Sequence, residues 1–555
     1  MTKEAREGGR LFFNGRFHTL DETNPLAGIV AAKGDTAVYV GDDFREALDA
    51  LKRAGEPRPG LAAGPDDGVV RETDLKHRAV IPGLIDAHAH VLHEGMRLSQ
   101  PDVFGLTYEG ALEALGREAK KLPPGAFLHA RGWDHNLYPG MAWPEKEDLD
   151  RVCPDNPAVV DRVDKHSVWV NSLFLKLAGI DENTPDPPGG EIKRDPATGK
   201  PSGILVGRAI HATHEHMAPW DGRDPLETFL EAEREFLSFG VTTVIDCGTR
   251  KNEFLLLDEA YAKGIPKIRF RAFVVADPWE EELLKDGPRR GLRGERLSLD
   301  GVKIFSDGSL GSQSAWLTED YADRPGHRGD HNYDDQSLAG LMEKIRDRGL
   351  QAAIHVIGDA AVDQAVRVMG KVLGKDSKSR RWRLEHCQMF SEKALAEAVA
   401  LGLIPSIQGA GLMTDLHMVG RRLGEARLPR TYNWKTILKA GSILLNGSDA
   451  PIETPNPFHG IYAAMERKDL KGLPPGGYLP EERLTLTEAL LSYTKWPARA
   501  AFAENRLGSI SPSKLCDFTV LDRDIFDVSP GDIADTRPLL TVVGGEEVYA
   551  DKGWD

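Results

Sequence analysis

Apolar positions at the start of the chain come in short runs cut by turn residues. Leu11-Phe12-Phe13 meets Asn14-Gly15, Ile29-Val30-Ala31-Ala32 meets Lys33-Gly34-Asp35, and Ala37-Val38-Tyr39-Val40 meets Gly41-Asp42. Turn chemistry of this kind between β-rich runs predicts hairpins. The same texture returns near the other end, in Asp517-Phe518-Thr519-Val520-Leu521 and in Leu540-Thr541-Val542-Val543 before Gly544-Gly545. Neither end holds enough strands to bury a face by itself, so residues 1–79 and 505–555 are expected to pair into one small composite β-sandwich.

Over residues 80–504 the period changes, and strand-like runs alternate with helical stretches as in parallel βα units. Eight candidate strands follow one another: Val80 to Ile85, Val241 to Ile245, Ile268 to Val274, Gly301 to Phe305, Ala352 to Val356, Arg381 to Glu385, Ile404 to Ile407 and Ile443 to Leu445. Glu253 to Lys263, Ser337 to Arg348 and Glu392 to Ala400 read as helices between them. Eight such units predict an α/β fold, a closed (β/α)8 TIM-like barrel, whose chemistry sits at the C-terminal strand ends. One interval is too long for a crossover, because about 150 residues separate His90 from Val241. An inserted lid subdomain is therefore expected after barrel strand 1, at about 100–225, over the barrel mouth. It carries Trp133, Trp143, Trp169 and Trp220, and its hairpin signal runs from Gly190 to Val206 through Asp195-Pro196-Ala197-Thr198-Gly199.

Composition narrows the partners. With 41% hydrophobic and 28% charged residues the chain is globular, and a net charge of −16 argues against a nucleic-acid partner. No run of 18 apolar residues suggests a membrane span, and the polar start Met1-Thr2-Lys3-Glu4-Ala5-Arg6-Glu7 lacks a signal-peptide core, so a soluble cytoplasmic protein is expected. Four cysteines without a CxxC pair offer neither a disulfide framework nor a thiolate zinc site. Walker A, GxSxG and HExxH motifs are absent as well.

The histidines carry the chemistry by their positions. His88 and His90 end the first strand two residues apart, so both imidazoles face one side and can share a metal ion. His355 ends the fifth strand, His386 the sixth, and Asp449 follows the eighth. Such a cluster converging on one mouth is costly unless a cation holds it together. Strand parity turns Val302 and Ile304 outward and Lys303 inward, where an ammonium beside metal ions is repelled. Two readings stand for Lys303: a carbamate formed with carbon dioxide that bridges two metals, or an ordinary lysine paired to a carboxylate such as Asp307.

In this order His88-Ala89-His90, Lys303, His355, His386 and Asp449 resemble the ligand set of the amidohydrolase superfamily. Val302-Lys303-Ile304-Phe305-Ser306-Asp307-Gly308-Ser309-Leu310-Gly311-Ser312, His355-Val356-Ile357-Gly358-Asp359 and Gly447-Ser448-Asp449-Ala450-Pro451 are similar to the branch that includes N-substituted formamide deformylases. Arg162-Val163-Asp164-Lys165-His166, Trp169-Val170-Asn171-Ser172 and Leu507-Gly508-Ser509-Ile510 extend the likeness over nearly the whole chain. The resemblance implies a metal-dependent hydrolase in which His88 and His90 bind one metal, His355 and His386 the other, Lys303 bridges as a carbamate, and Asp449 is both ligand and base. One or two divalent ions per chain are expected, zinc by the imidazole and oxygen ligands. The expected reaction is hydrolysis of a non-peptide amide or related C–N bond by metal-activated hydroxide. A ring deaminase of the same superfamily, an isomerase or ester hydrolase, and a non-catalytic barrel scaffold are the alternatives. A small-molecule substrate is expected against Trp133, His166, Trp169 and Asp307, and a homodimer is the assembly considered. The chain departs from the branch at Gln313 for Arg, Gly409 and Gly411 for Pro and His, and Lys165 for Gly.

Overall fold

The computed structural model describes residues 9–55, 69–217 and 222–554; Trp220 lies outside them. Eight parallel strands form the barrel part of a nine-stranded central sheet, β1 Leu84–Ala89, β2 Val241–Thr249, β3 Arg269–Val275, β4 Leu297–Phe305, β5 Gln351–Val356, β6 Arg383–His386, β7 Ile404–Ile407 and β8 Leu445–Asn446, with the short strand Arg289–Gly291 antiparallel to β4. Each pairs with its neighbour in chain order. Two backbone bonds draw β8 back to β1, from the N–H of Asp449 to His88 O at 2.6 Å and from the N–H of His90 to Ala450 O at 2.8 Å. Together they leave a nearly closed TIM-like barrel.

Alternation explains why these runs are strands with a wet inner end. On β4 and β5, Val302, Ile304, Ala352, Ile354 and Val356 join the main core with Leu338, Met342 and Ile345 of the helix Asp335–Asp347. The residues between them, Lys303 and His355, are left for the interior.

The first candidate strand divides in two. Ala79–Pro82 does not enter the barrel; it pairs with Phe518–Leu521 and Arg16–His18 in a six-stranded sheet. Pro82 has no N–H to continue a ladder. Gly83 gives its N–H to Asp517 O at 2.9 Å, and a Cβ at this position would stand 2.3 Å from Thr242 Oγ1. Close packing thus demands glycine at the junction, and β1 starts at Leu84.

The six-stranded sheet runs Glu546–Ala550, Pro538–Val543, Phe518–Leu521, Ala79–Pro82, Arg16–His18, Leu26–Ala27, so it draws strands from both ends of the chain. A four-stranded sheet of Thr36–Gly41, Ile29–Lys33, Gly9–Phe13 and Val70–Asp74 packs on it. Phe12, Phe17, Val30, Val80, Phe518 and Val542 share the core between them. Arg269 of β3 ties this unit to the barrel through two bonds to Asp517, at 2.7 and 2.9 Å, with both side chains buried.

The insertion forms a five-stranded sheet of its own in the order Gly190–Arg194, Pro201–Gly207, Ser167–Val170, Ala158–Arg162, Leu128–Trp133. Its first two strands are the hairpin expected from the turn at 195–199. Trp133 and Trp169, expected against the substrate, are instead fully buried in the insertion's own core beside Leu112, Leu115 and Leu149. Their indole N–H groups are spent on Val160 O at 2.8 Å and Glu145 O at 2.9 Å. A large aromatic ring is the cheapest way to fill a small, separate core, and no face of either ring is left for a ligand. Trp133→Phe is expected to lower stability in denaturant unfolding by about 1–3 kcal/mol, because Val160 O loses its buried donor, and to leave substrate KM unchanged. A raised KM at unchanged stability would return Trp133 to the cavity.

Among the described residues no helix is long and apolar enough to cross a membrane. Cys153, Cys247, Cys387 and Cys516 are all buried and unpaired.

Candidate metal centre

Four strands deliver the histidine cluster to the C-terminal mouth of the barrel. His88 and His90 come from the end of β1, His355 from β5, His386 from the last position of β6, and Asp449 stands just beyond β8. His386 and Asp449 both have left-handed backbones, φ 73° and 56°. Non-glycine residues rarely adopt this region, and such strain concentrates where a side chain must be aimed.

The groups are close enough to share a cation. Donor atoms of His88, His386 and Asp449 lie within 4.8 Å of one another. Asp449 Oδ1 is 3.1 Å from His90 Nε2 and 3.4 Å from His88 Nε2, while the rings of His355 and His386 are 4.3 Å apart. Gly248 makes the room for His90, since a Cβ there would come within 2.5 Å of its Nδ1.

Each of three imidazoles uses one nitrogen outside the cluster. His88 Nδ1 bonds Glu385 Oε2 at 2.7 Å, His386 Nδ1 bonds Gln408 Oε1 at 2.7 Å, and His355 Nε2 bonds Gly308 O at 3.0 Å. Their partners are acceptors, so these nitrogens carry hydrogen and the opposite ones keep a lone pair; on His88 that nitrogen is Nε2, which faces Lys303 and Asp449. Burial pushes all three rings well below the usual histidine range, which keeps them neutral as metal donors must be. Burial also opposes ionisation of Asp449, but the neighbouring His88 and His90 and then Lys303 bring its carboxyl down to about 2.

Lys303 points inward as parity requires. Its Nζ is 3.0 Å from His88 Nε2 and 4.9 Å from the centre of the Phe305 ring, and among the described residues it makes no ion pair. Asp307, the partner an ordinary lysine would use, accepts instead from the backbone N–H groups of Trp316, Ile357 and Gly358 at 3.0, 3.1 and 2.8 Å. It joins the end of β4 to the end of β5, and burial lifts its carboxyl to about 7. Asp307 is therefore scaffold beneath His355, 3.5 Å from its Nε2, with its oxygens already engaged.

The insertion reaches this centre through one turn. Arg162 binds Asp134 at 2.5 Å and Asp164 at 2.6 Å, and Ser309 donates to Asp164 at 2.5 Å, so the turn is pinned to the loop after β4. His166 then sits with its ring 5.3 Å from that of His355. Lys165 before it has φ 55°, a conformation glycine adopts freely and lysine only with strain. Of the residues expected at the substrate, His166 and Asp307 lie beside the histidine cluster, and Asp307 is there as scaffold, with its oxygens engaged by backbone N–H groups.

Residues that reading the sequence left without a role complete the arrangement. Asp86 accepts from the N–H of His88 at 3.0 Å and from Ser448 Oγ at 2.6 Å, locking β1 to the end of β8. A second grouping, His88, Cys247 and Glu385, also has metal-ligand spacing. Arg383 closes it to a cation, because its guanidinium lies 2.9 Å from Glu385 Oε2 and 3.9 Å from Cys247 Sγ. Parity was the available signal, since Arg383 and Glu385 are two apart on β6 and face inward together.

Comparison with known proteins follows the same lines. The sequence model of the Amidohydrolase family matches residues 71–549. Protein LONG AFTER FAR-RED 3 of Arabidopsis thaliana is 32% identical, with 97% of this chain and 91% of that protein aligned. The N-substituted formamide deformylase of Arthrobacter pascens is 27% identical over 98% of each chain. An uncharacterized metal-dependent hydrolase from Pyrococcus horikoshii OT3 has a crystal structure that superposes with a TM-score of 0.73 at 25% identity, covering 94% of this chain and 99% of that one.

Proposed function

Because this chain belongs to the amidohydrolase family, we propose that it is a metal-dependent hydrolase that cleaves a non-peptide amide or a related C–N bond. The observation that carries the reading is the centre itself: His88, His90 and His386 gathered around Asp449, beside an inward lysine that makes no ion pair among the described residues. The similarity to an N-substituted formamide deformylase supports the bond class.

In this reading His88, His90 and Asp449 would hold one divalent ion and His355 with His386 a second, zinc being the ion suited to imidazole and oxygen donors. Lys303 would hold them as a carbamate, formed when its neutral amine adds to carbon dioxide, making an N–C bond as one C–O π bond opens and a proton leaves the nitrogen. When bound, such an ion supplies Lewis acidity that lowers the pKa of a water from 15.7 toward about 7 and polarises an acyl carbonyl. The remaining work belongs to the side chains. Asp449 Oδ1 is engaged by His90, which leaves Oδ2 to take a proton from the attacking water and pass it to the departing nitrogen. That delivery matters because an amide nitrogen leaves readily only as the neutral amine. His166 closes one side of the acyl site, and the half-exposed Phe305 offers an apolar wall beside His355 at 5.8 Å.

The test is elemental analysis of purified protein together with a screen of formamides, N-acyl amino acids and cyclic amides for amine release. One or two divalent ions per chain, with hydrolysis lost to a chelator and restored by zinc, are the expected results. Protein free of divalent metal after zinc loading, or hydrolysis indifferent to the chelator, overturns the reading.

A further inference from the structure

Across the floor of the centre runs a line of three buried side chains from β6 to β1. Arg383 places Nε 2.7 Å from Glu385 Oε1 and Nη2 2.9 Å from Glu385 Oε2. Glu385 Oε2 in turn meets His88 Nδ1 at 2.7 Å, and the Glu385 and His88 side chains are 0% exposed. The guanidinium gives a further bond to Ala87 O at 2.6 Å, next to His88 in the chain. β1 and β6 are not neighbours in the sheet, so this contact crosses the lumen. It costs two desolvated charges and is retained beneath a ring at the centre of the proposed site.

We infer that Glu385 is a positioning residue, oriented by Arg383, which fixes His88 as the Nδ1–H tautomer and turns its Nε2 lone pair to the metal position. The inference rests on the reading of His88 as a metal ligand. A carboxylate clamped by a bidentate guanidinium can only accept, so His88 Nδ1 must be the donor. The other face of the ring agrees, because Nε2 stands 3.0 Å from Lys303 Nζ, a group that donates to a lone pair. His386 Nδ1 bonds a neutral amide, Gln408, with Asp449 Oδ2 4.0 Å away, so of the two rings only His88 has a carboxylate at hydrogen-bond distance of its Nδ1. A carboxylate behind the ring also makes its Nε2 a stronger donor, the usual effect of an outer-shell acid on a ligating histidine.

Glu385→Gln tests the inference without changing the shape of the side chain. Whichever way the amide turns, its NH2 opposes an Arg383 N–H, so the acceptor at His88 Nδ1 is weakened or lost. Zinc affinity, read on chelator-stripped protein against a chromophoric competitor, is expected to fall about 10–100-fold. The visible absorption of the Co2+-loaded variant should change in shape, which a purely structural role for Glu385 would not cause. Where an unpaired Arg383 keeps that variant from folding, Arg383→Met combined with Glu385→Leu removes both charges and should show the same loss of affinity. Variants that fold, bind zinc within about twofold of the unmodified protein and keep its Co2+ spectrum overturn the inference alone. Unmodified protein that binds neither Zn2+ nor Co2+ overturns the hydrolase reading and this inference together.

Discussion

Asp449→Asn is expected to reduce turnover by about 10²–10⁴-fold, the usual worth of a positioned general acid–base group, while the protein stays folded. Asparagine is the informative substitution because Asp449 sits at φ 56°, and Asn is one of the few residues that tolerates the left-handed region. The backbone bond from residue 449 to His88 O, which holds β8 against β1, then survives unchanged. What disappears is the charge on a carboxyl held ionised down to about 2, and with it the ability to take a proton from water at neutral pH. Metal content separates the two roles of the residue: loss of turnover with zinc retained marks the base, whereas loss of both marks the ligand. An Asn variant that keeps zinc and hydrolyses within about threefold of the unmodified protein would remove Asp449 from the proton transfer.

Lys303→Ala is expected to abolish hydrolysis and to leave about one ion per chain or fewer, because the carbamate proposed to bridge two ions could no longer form. The expectation follows from what surrounds the ammonium. It is buried, it faces an imidazole nitrogen and an aromatic ring, and Asp307 is already committed to three backbone N–H groups. An ordinary structural lysine would have a carboxylate here, since a buried unpaired cation is expensive. Formate or acetate added to the Ala variant should restore part of the metal content and activity by occupying the vacated space. Intact mass under mild conditions reads the carbamate directly. An unmodified Lys303 in fully active, metal-replete protein would end the bridging role and leave hydrolysis with a single ion standing.

Much of this protein is legible in local sequence. Turn dipeptides mark the hairpins at both ends, strand-like runs alternating with helical stretches find all the barrel strands but the first to within a few residues, and strand parity alone turns Lys303 inward. These features depend on residues a few positions apart, where backbone geometry and side-chain direction are set by the chain itself. The histidines at the strand ends are legible for the same reason, because βα alternation already says which end of each strand reaches the mouth.

Contacts between distant segments follow a different logic. Nothing near Ala79 shows that the run must break at Pro82-Gly83; the break is imposed by Thr242 and Asp517 packing against Gly83. Within the insertion, Trp133, Trp169 and His166 are all plausible cavity residues by position, yet two of them fill a core and only His166 meets His355. Which side of that sheet turns toward the barrel depends on the pinning of Asp164 by Arg162 and Ser309. The tautomers of His88, His355 and His386 are likewise set from afar, by Glu385, Gly308 and Gln408. By itself, then, the sequence determined the elements, the inward faces and the kinds of ligand atom, since each follows from neighbours along the chain. The tertiary structure alone decided the partners, the aim of each imidazole and the division between cavity and core, because these depend on residues hundreds of positions apart brought within 3 Å by barrel closure.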